Sequence, residues 1–384
     1  MKAFGVILEA NPLHLGHKYL IDEIKRQYNP DCLVAITSTS FSMRGDISSL
    51  NKFTKTSLLL DNGFDLVIEL PFNMAVQSAN YFANNAVSIL NSLGINNIVF
   101  GCETESLDLF HKLYDFVSSE NKKNSKNKSL SQKKALTYEL LENNFTNEEI
   151  ENINKPNFTL GFQYIKSIKD NNYPISYHII KRIGNNYHDL TPTSSIASAS
   201  SIRNLHQNNL DVNPYIPYNS SHLINLNETY SNLMPIVKYV YSQNSIIDST
   251  YFGQKEGLNQ YILKNGDFNS SFDNLINSLK NKKYSLSLIK RVILHTILNT
   301  KENLSNYNYI RILGSNKNGF KYVKNLPIET KNMIFSSPKE IENNNSIINQ
   351  ILNTELLATK LYANITNNSD LYLNEFKLPI RKED

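Results

Sequence analysis

Four short apolar runs in the first hundred residues, Ala3–Leu8, Cys32–Thr37, Asp65–Leu70 and Asn97–Phe100, alternate with stretches of helical periodicity. That alternation constrains the fold more than any other feature, because strands spaced by helices build a parallel, doubly wound α/β sheet. Each run ends in polar or glycine-containing sequence: Glu9-Ala10-Asn11-Pro12, Ser38-Thr39-Ser40, Pro71-Phe72-Asn73 and Gly101-Cys102-Glu103. Those carboxyl ends are expected to form one ligand-facing rim. A fifth strand is predicted at Ser176–Ile183 after a long helical insert, and the sheet is expected to close near residue 185.

After residue 205 the alternation stops. Pro214, Pro217 and Ser220-Ser221 mark a connection, and helical spacing follows, clearest over Tyr284–Leu298 at Leu286, Ile289, Val292, Ile293 and Ile297. The expected division is an α/β domain over residues 1–210, with a helical and low-complexity insert over about 105–170, and a mainly helical domain over 211–384. A chain of 384 residues with 40% apolar content can bury two cores. No apolar stretch reaches a membrane-spanning length, and two cysteines, Cys32 and Cys102, supply no disulfide framework. A cytoplasmic protein is expected. The stretch Ser118–Lys134 is basic and lacks apolar periodicity, so it reads as a solvated loop.

The first run is followed by His14-Leu15-Gly16-His17, where a strand hands over to a helix. Three-residue spacing puts both imidazoles on one face of the first turn, and Gly16 leaves room for a ligand to approach the backbone. Free N–H groups and the helix dipole favour an anion at the same place. Capping or core packing would use the same histidines. A metal site is not expected, since metal-binding pairs usually sit four apart with an acid nearby. A second segment, Ile196-Ala197-Ser198-Ala199-Ser200-Ser201-Ile202-Arg203, is a loop of small hydroxyl residues opening a helix. Ser200 or Ser201 is expected to cap it, with Arg203 projecting from the first turn as part of a second anion site.

Together these segments resemble the HxGH nucleotidyltransferase superfamily, whose second motif is matched by Ser198, Ser200, Ile202 and Arg203. The resemblance implies a Rossmann-like nucleotidyltransferase domain and attack on the α-phosphorus of ATP with release of pyrophosphate. His14 and His17 would donate to the phosphate oxygens, and Arg203, with the Ser200–Ser201 helix start, would hold the outgoing phosphates. Mg²⁺ is expected on chemical grounds, although no acidic cluster names its ligands.

A narrower resemblance, to the tRNA(Met) cytidine acetate ligases, spans most of the chain. It is carried by Glu9-x-Asn11-Pro12-Leu13-His14-Leu15-Gly16-His17, Ser38-x-x-Phe41-x-x-Arg44-Gly45 and Asp65-Leu66-Val67-Ile68-Glu69-Leu70-Pro71. It continues through Phe100-Gly101-x-Glu103, Pro156-Asn157-x-x-Leu160-Gly161, Arg182-Ile183-Gly184-x-x-Tyr187-His188-Asp189 and Tyr309-Ile310-Arg311-Ile312-Leu313-Gly314. The resemblance implies an ATP-dependent ligase that makes acetyl-adenylate and acetylates N4 of the wobble cytidine of elongator tRNA(Met). ATP contacts are implied at Ile7, Leu8, Glu9, Ala10, Asn11, Pro12, Leu13, His14, Leu15, Gly16, His17, Lys18, Tyr19 and Leu20, and at Gly101, Asn157, Arg182 and Ile183. Departures from the family pattern at Ala10, Leu13, Met43, Asn51 and Ser315 bear on the acetate pocket and the tRNA grip. Arg44 and Lys52 could neutralise acetate or phosphate, or form ion pairs. His188, Asp189 and Glu9 are the candidate bases for the cytidine amine.

From Lys280 to Lys324 the cations are Lys280, Lys282, Lys283, Lys290, Arg291, Lys301, Arg311, Lys317, Lys321 and Lys324, with Glu302 the only acid. This reads as a footprint for a phosphate backbone, with Lys282, Lys283, Lys290, Arg291 and Arg311 the tRNA-contact candidates and Lys283 and Lys290 on one helix face. Tyr284, Tyr307, Tyr309 and Phe320 are candidate stacking surfaces. The rivals are a small-molecule adenylyltransferase, a class I aminoacyl-tRNA synthetase, whose lysine-serine loop is not credibly matched, and a non-catalytic tRNA-binding protein with a relic nucleotide site.

Overall fold

The computed structural model describes residues 1–119, 137, 139–183, 196–243, 257–300, 309–341 and 347–383. Nearly all of the basic stretch 118–134 lies outside them, as do Tyr187, His188, Asp189, Lys301 and Tyr307.

The five predicted strands form as β1 (Ala3–Leu8), β2 (Cys32–Ser38), β3 (Leu66–Leu70), β4 (Asn97–Cys102) and β5 (Ser176–Lys181). They lie parallel in the order β5-β4-β1-β2-β3, with Ala3 opposite Cys32, Val34 opposite Leu66 and Asn97 opposite Ser176. Every residue of β1, β2 and β3 is buried, which is why these strands read as mainly apolar runs, with Glu69 of β3 a buried exception. The chain starts at β1, adds β2 and β3 on one side, then returns to add β4 and β5 on the other. The order therefore reverses between β1 and β4, and their carboxyl ends flank a crevice at that switch point.

The expectation that the sheet closes near residue 185 is corrected. Strand β6 (Ile310–Ser315) pairs antiparallel with β3, placing Leu66 opposite Ser315, and β7 (Ile334–Phe335) and β8 (Ile380–Arg381) both pair with β6. Partners so far apart in the chain leave no local signature, and Arg311 interrupts the apolar run that forms β6.

The remainder of residues 211–383 is mainly helical. Helices Leu226–Tyr241, Leu258–Asn265, Phe272–Ser278, Leu286–Ile297 and Ile347–Ile365 pack around Leu233, Val237, Leu275, Ile289, Val292 and Ile293. Phe41, Ile47, Phe72 and Val76 from the first half enter the same core. The two halves thus share both a sheet and a core. Ser285 caps the Leu286–Ile297 helix, its hydroxyl accepting from the Leu288 amide at 3.2 Å. Lys283 precedes that cap, so it shares no continuous helix with Lys290, contrary to the reading of their spacing.

Candidate active site

A cavity of about 450 Å³ opens at the carboxyl ends of the central strands. The end of β1 and the turn after it line it from Ile7 to Asn11, the loop after β2 contributes Ser42, Met43, Arg44 and Asp46, and β4 contributes Phe100 and Gly101. His14, His17, Asn157, Arg182 and Arg203 complete the polar wall, with Ile183 beside them.

His14 is the N-cap of helix Leu15–Tyr28, and its Nδ1 accepts from the Gly16 amide at 3.0 Å. His17 reaches back, its Nδ1 accepting from the His14 amide at 3.2 Å. This is a capping box made of two imidazoles, with ring centroids 3.9 Å apart. Because each Nδ1 accepts, the hydrogen-bond geometry assigns the ring proton to Nε2. Burial is the main cause that pushes both pKa values down, with the neighbouring charge of Arg182 adding to it, so both rings stay neutral. Capping and donation are therefore not alternatives here: one nitrogen holds the helix and the other is left to donate. Gly16 lines the cavity and serves a further end, since a Cβ there would lie 2.9 Å from the His14 ring. It makes room for the cap.

In the second motif Ser198, rather than Ser200 or Ser201, is the cap, accepting from the Ser201 amide at 3.1 Å. The Ser200 and Ser201 hydroxyls bond to Ser198 at 3.0 and 2.8 Å. Arg203 donates to the Asn11 carbonyl, and the Asn11 side chain accepts from the Ser49 amide at 2.8 Å and donates to the Ile47 carbonyl. Opposite them, Arg182 donates to Asn157 Oδ1 at 3.2 Å, and Asn157 donates to Glu103 at 2.7 Å. Glu103 also accepts the Asn157 and Phe158 amides, so a carboxylate finishes the start of helix Pro156–Asp170.

Glu9 Oε1 accepts from the Met43 amide at 2.5 Å, and burial raises its pKa. Lys55 is fully buried, donating to the carbonyls of Glu9 and Ser38 at 3.0 Å, and burial lowers its pKa to about 7. Leu13 packs in the core, and Lys18 pairs with Asp22. Neither lines the cavity, nor do Pro12, Leu15, Ser200 or Ser201. Asp46 and Tyr164 line it and escaped sequence reading. Tyr164 sits one helical turn beyond Leu160, a spacing that could have found it. Among the described residues no three His, Cys, Asp or Glu side chains group to hold a metal ion.

Several cations named from sequence as candidate ligand contacts have protein partners, as the ion-pair alternative for Lys52 allowed. Lys52 is buried against Glu69 at 2.9 Å, Glu355 at 2.8 Å and Glu375 at 2.5 Å. Arg311 is 2% exposed and pairs with Glu375 at 2.7 Å and Glu69 at 3.3 Å, which removes it from the tRNA-contact candidates. Tyr309 is buried and donates to Glu69 at 2.7 Å, and Tyr284 is buried too, so neither offers a stacking face. Lys290 pairs with Asp46 at 2.8 Å, and Arg291 donates to the Met43 carbonyl at 3.3 Å. Lys282, Lys283 and Phe320 are exposed. Asn51 caps the Lys52–Asp61 helix, its side chain accepting from the Phe53 and Thr54 amides.

A family model described as HIGH Nucleotidyl Transferase matches residues 1–375. The tRNA(Met) cytidine acetate ligase of Oceanobacillus iheyensis is 33% identical over 390 residues, covering 95% of this chain and 95% of that protein. The tRNA(Met) cytidine acetate ligase of Caldicellulosiruptor saccharolyticus is 33% identical over 382 residues, covering 94% of each. Among solved structures, apo Thermotoga maritima TmcAL superposes with a TM-score of 0.83 at 24% identity, and its form bound with alpha-thio ATP with 0.84 at 22%, each over 100% of both chains. At such identity these two likenesses speak for the fold.

Proposed function

The chain belongs to the tRNA(Met) cytidine acetate ligase family of HIGH nucleotidyl transferases, and from that premise we propose that it activates acetate with ATP and acetylates N4 of the wobble cytidine of elongator tRNA(Met). The observation that carries this reading is the pair of neutral capping imidazoles at the switch point, facing the same cavity as Arg182 and Arg203. An acetate oxygen attacks the α-phosphorus, the bond to the β-phosphate breaks, and pyrophosphate leaves. The product is a mixed anhydride. The cytosine amine then attacks its carbonyl, AMP leaves with the bonding pair, and the amine gives up a proton.

Such chemistry needs alignment and charge stabilisation and no protein nucleophile. His14 and His17 donate through Nε2 to the α-phosphate oxygens, and Arg203 takes the outgoing phosphates. Glu9, whose buried carboxyl lines the cavity, is the described candidate for the amine's proton. Mg²⁺ would arrive with the ATP phosphates, its remaining ligands being water. Residues 1–210 carry the direct contacts to ATP and acetate, residues 211–384 carry the tRNA surface, and a cytoplasmic location follows from the substrate.

The test supplies purified protein with ATP, radiolabelled acetate and unmodified tRNA transcripts. Label is expected in N4-acetylcytidine of elongator tRNA(Met), with one AMP released per acetyl group. Label that never enters tRNA, with no AMP formed, would sink the ligase reading and leave a relic nucleotide site.

A further inference from the structure

We propose that Lys290, which lies outside the nucleotide cavity, is a positioning residue that holds Asp46 away from Arg203 and so leaves the Arg203 guanidinium to an anionic ligand. The inference rests on the phosphate-binding role given above to Arg203. Asp46 and Arg203 both line the cavity, and Lys290 Nζ reaches Asp46 Oδ1 at 2.8 Å from the Leu286–Ile297 helix. Burial opposes ionisation of Asp46, but Lys290, Arg203 and Arg44 together more than offset it, so the carboxylate is charged. An anion beside the phosphate-holding arginine is a competitor for it. Lys290 occupies that anion.

The surroundings fix this arrangement. The loop carrying Asp46 is pressed onto the helix at Gly45, which has a φ of +77° and where a Cβ would lie 2.7 Å from the Arg291 backbone nitrogen. Arg291 donates to the Met43 carbonyl, Met43 donates to Glu9, and the Ile47 amide donates to the Tyr230 hydroxyl. Asn11 then closes the circuit, holding Ile47 with its side chain and Arg203 with its carbonyl. Lys290 thus acts on the small-molecule step, although its sequence context suggested a tRNA contact.

The experiment measures acetate-dependent ATP–pyrophosphate exchange without tRNA, alongside direct ATP binding. Lys290→Met should raise the KM for ATP about tenfold, the scale of one charge-assisted hydrogen bond diverted, and Lys290→Arg should recover most of that. Adding Asp46→Asn to Lys290→Met should also restore ATP affinity, because a neutral amide competes for a guanidinium far more weakly than a carboxylate does. A purely structural clamp predicts a double variant no better than the single one, and that result would overturn the proposal. So would an unchanged KM for ATP with weakened tRNA binding. If Lys290→Met does not fold, Lys290→Gln carries the same comparison. If the wild-type protein shows no exchange without tRNA, ATP binding by the same variants still decides this proposal, and the labelling experiment above decides the ligase reading.

Discussion

Two groups of charged and polar side chains are buried in this molecule, and they are completed differently. Around Glu69, the charges of Lys52, Arg311, Glu355 and Glu375 meet one another, with Tyr309 and the Phe72 amide filling further acceptor positions. Around His14 the protein completes only half of each group. Each imidazole gives Nδ1 to the helix and keeps Nε2, and Arg203 is tethered by one carbonyl while it lines an open cavity. Burial with charge is common to both. What separates a site from a staple is whether the partner is the protein or is left to a ligand.

Four variants test that difference, from the largest effect down. Lys52→Met leaves three buried carboxylates sharing one guanidinium, so urea unfolding should show a loss of about 3–5 kcal/mol. A loss below about 1 kcal/mol would mean that water already enters the cluster. Arg203→Ala and His17→Ala should each reduce acetyl-adenylate formation about 10²–10³-fold, the cost of removing one oxyanion-stabilising donor, while the unfolding midpoint moves little. A stability loss as large as that of Lys52→Met would place these residues with the closed cluster. The smallest effect belongs to charges that neither group uses. Lys282→Glu with Lys283→Glu should weaken tRNA binding and make its salt slope shallower by about two, one per lost phosphate contact; an unchanged slope removes this surface from the interface.

Much of the site was legible because it is local. The His14–His17 spacing, the serine loop before Arg203 and the strand ends that carry them lie within short stretches, where strand and helix periods and capping chemistry act. Arg311 was misread, and the partners of Lys52 and Lys290 went unseen, for one reason. Their partners lie far along the chain: Glu355 is 303 residues from Lys52, and Asp46 is 244 from Lys290. A lysine that will bind a phosphate and one that will meet a distant carboxylate look the same in sequence. Glu103 shows the converse, its motif visible but its task, capping the helix that carries Asn157, apparent only once β4 and that helix are packed together.

Sequence alone determined the five parallel strands, the two capped helix starts and the residue types of the proposed phosphate site, since each follows from backbone periodicity or from groups a few residues apart. Tertiary structure decided which imidazole nitrogen keeps its proton, which cations stay available to a ligand, and that the second half completes the first half's sheet through β6. Those outcomes depend on burial and on contacts between distant segments. Only folding brings such segments within the few ångströms over which hydrogen bonds and desolvation act.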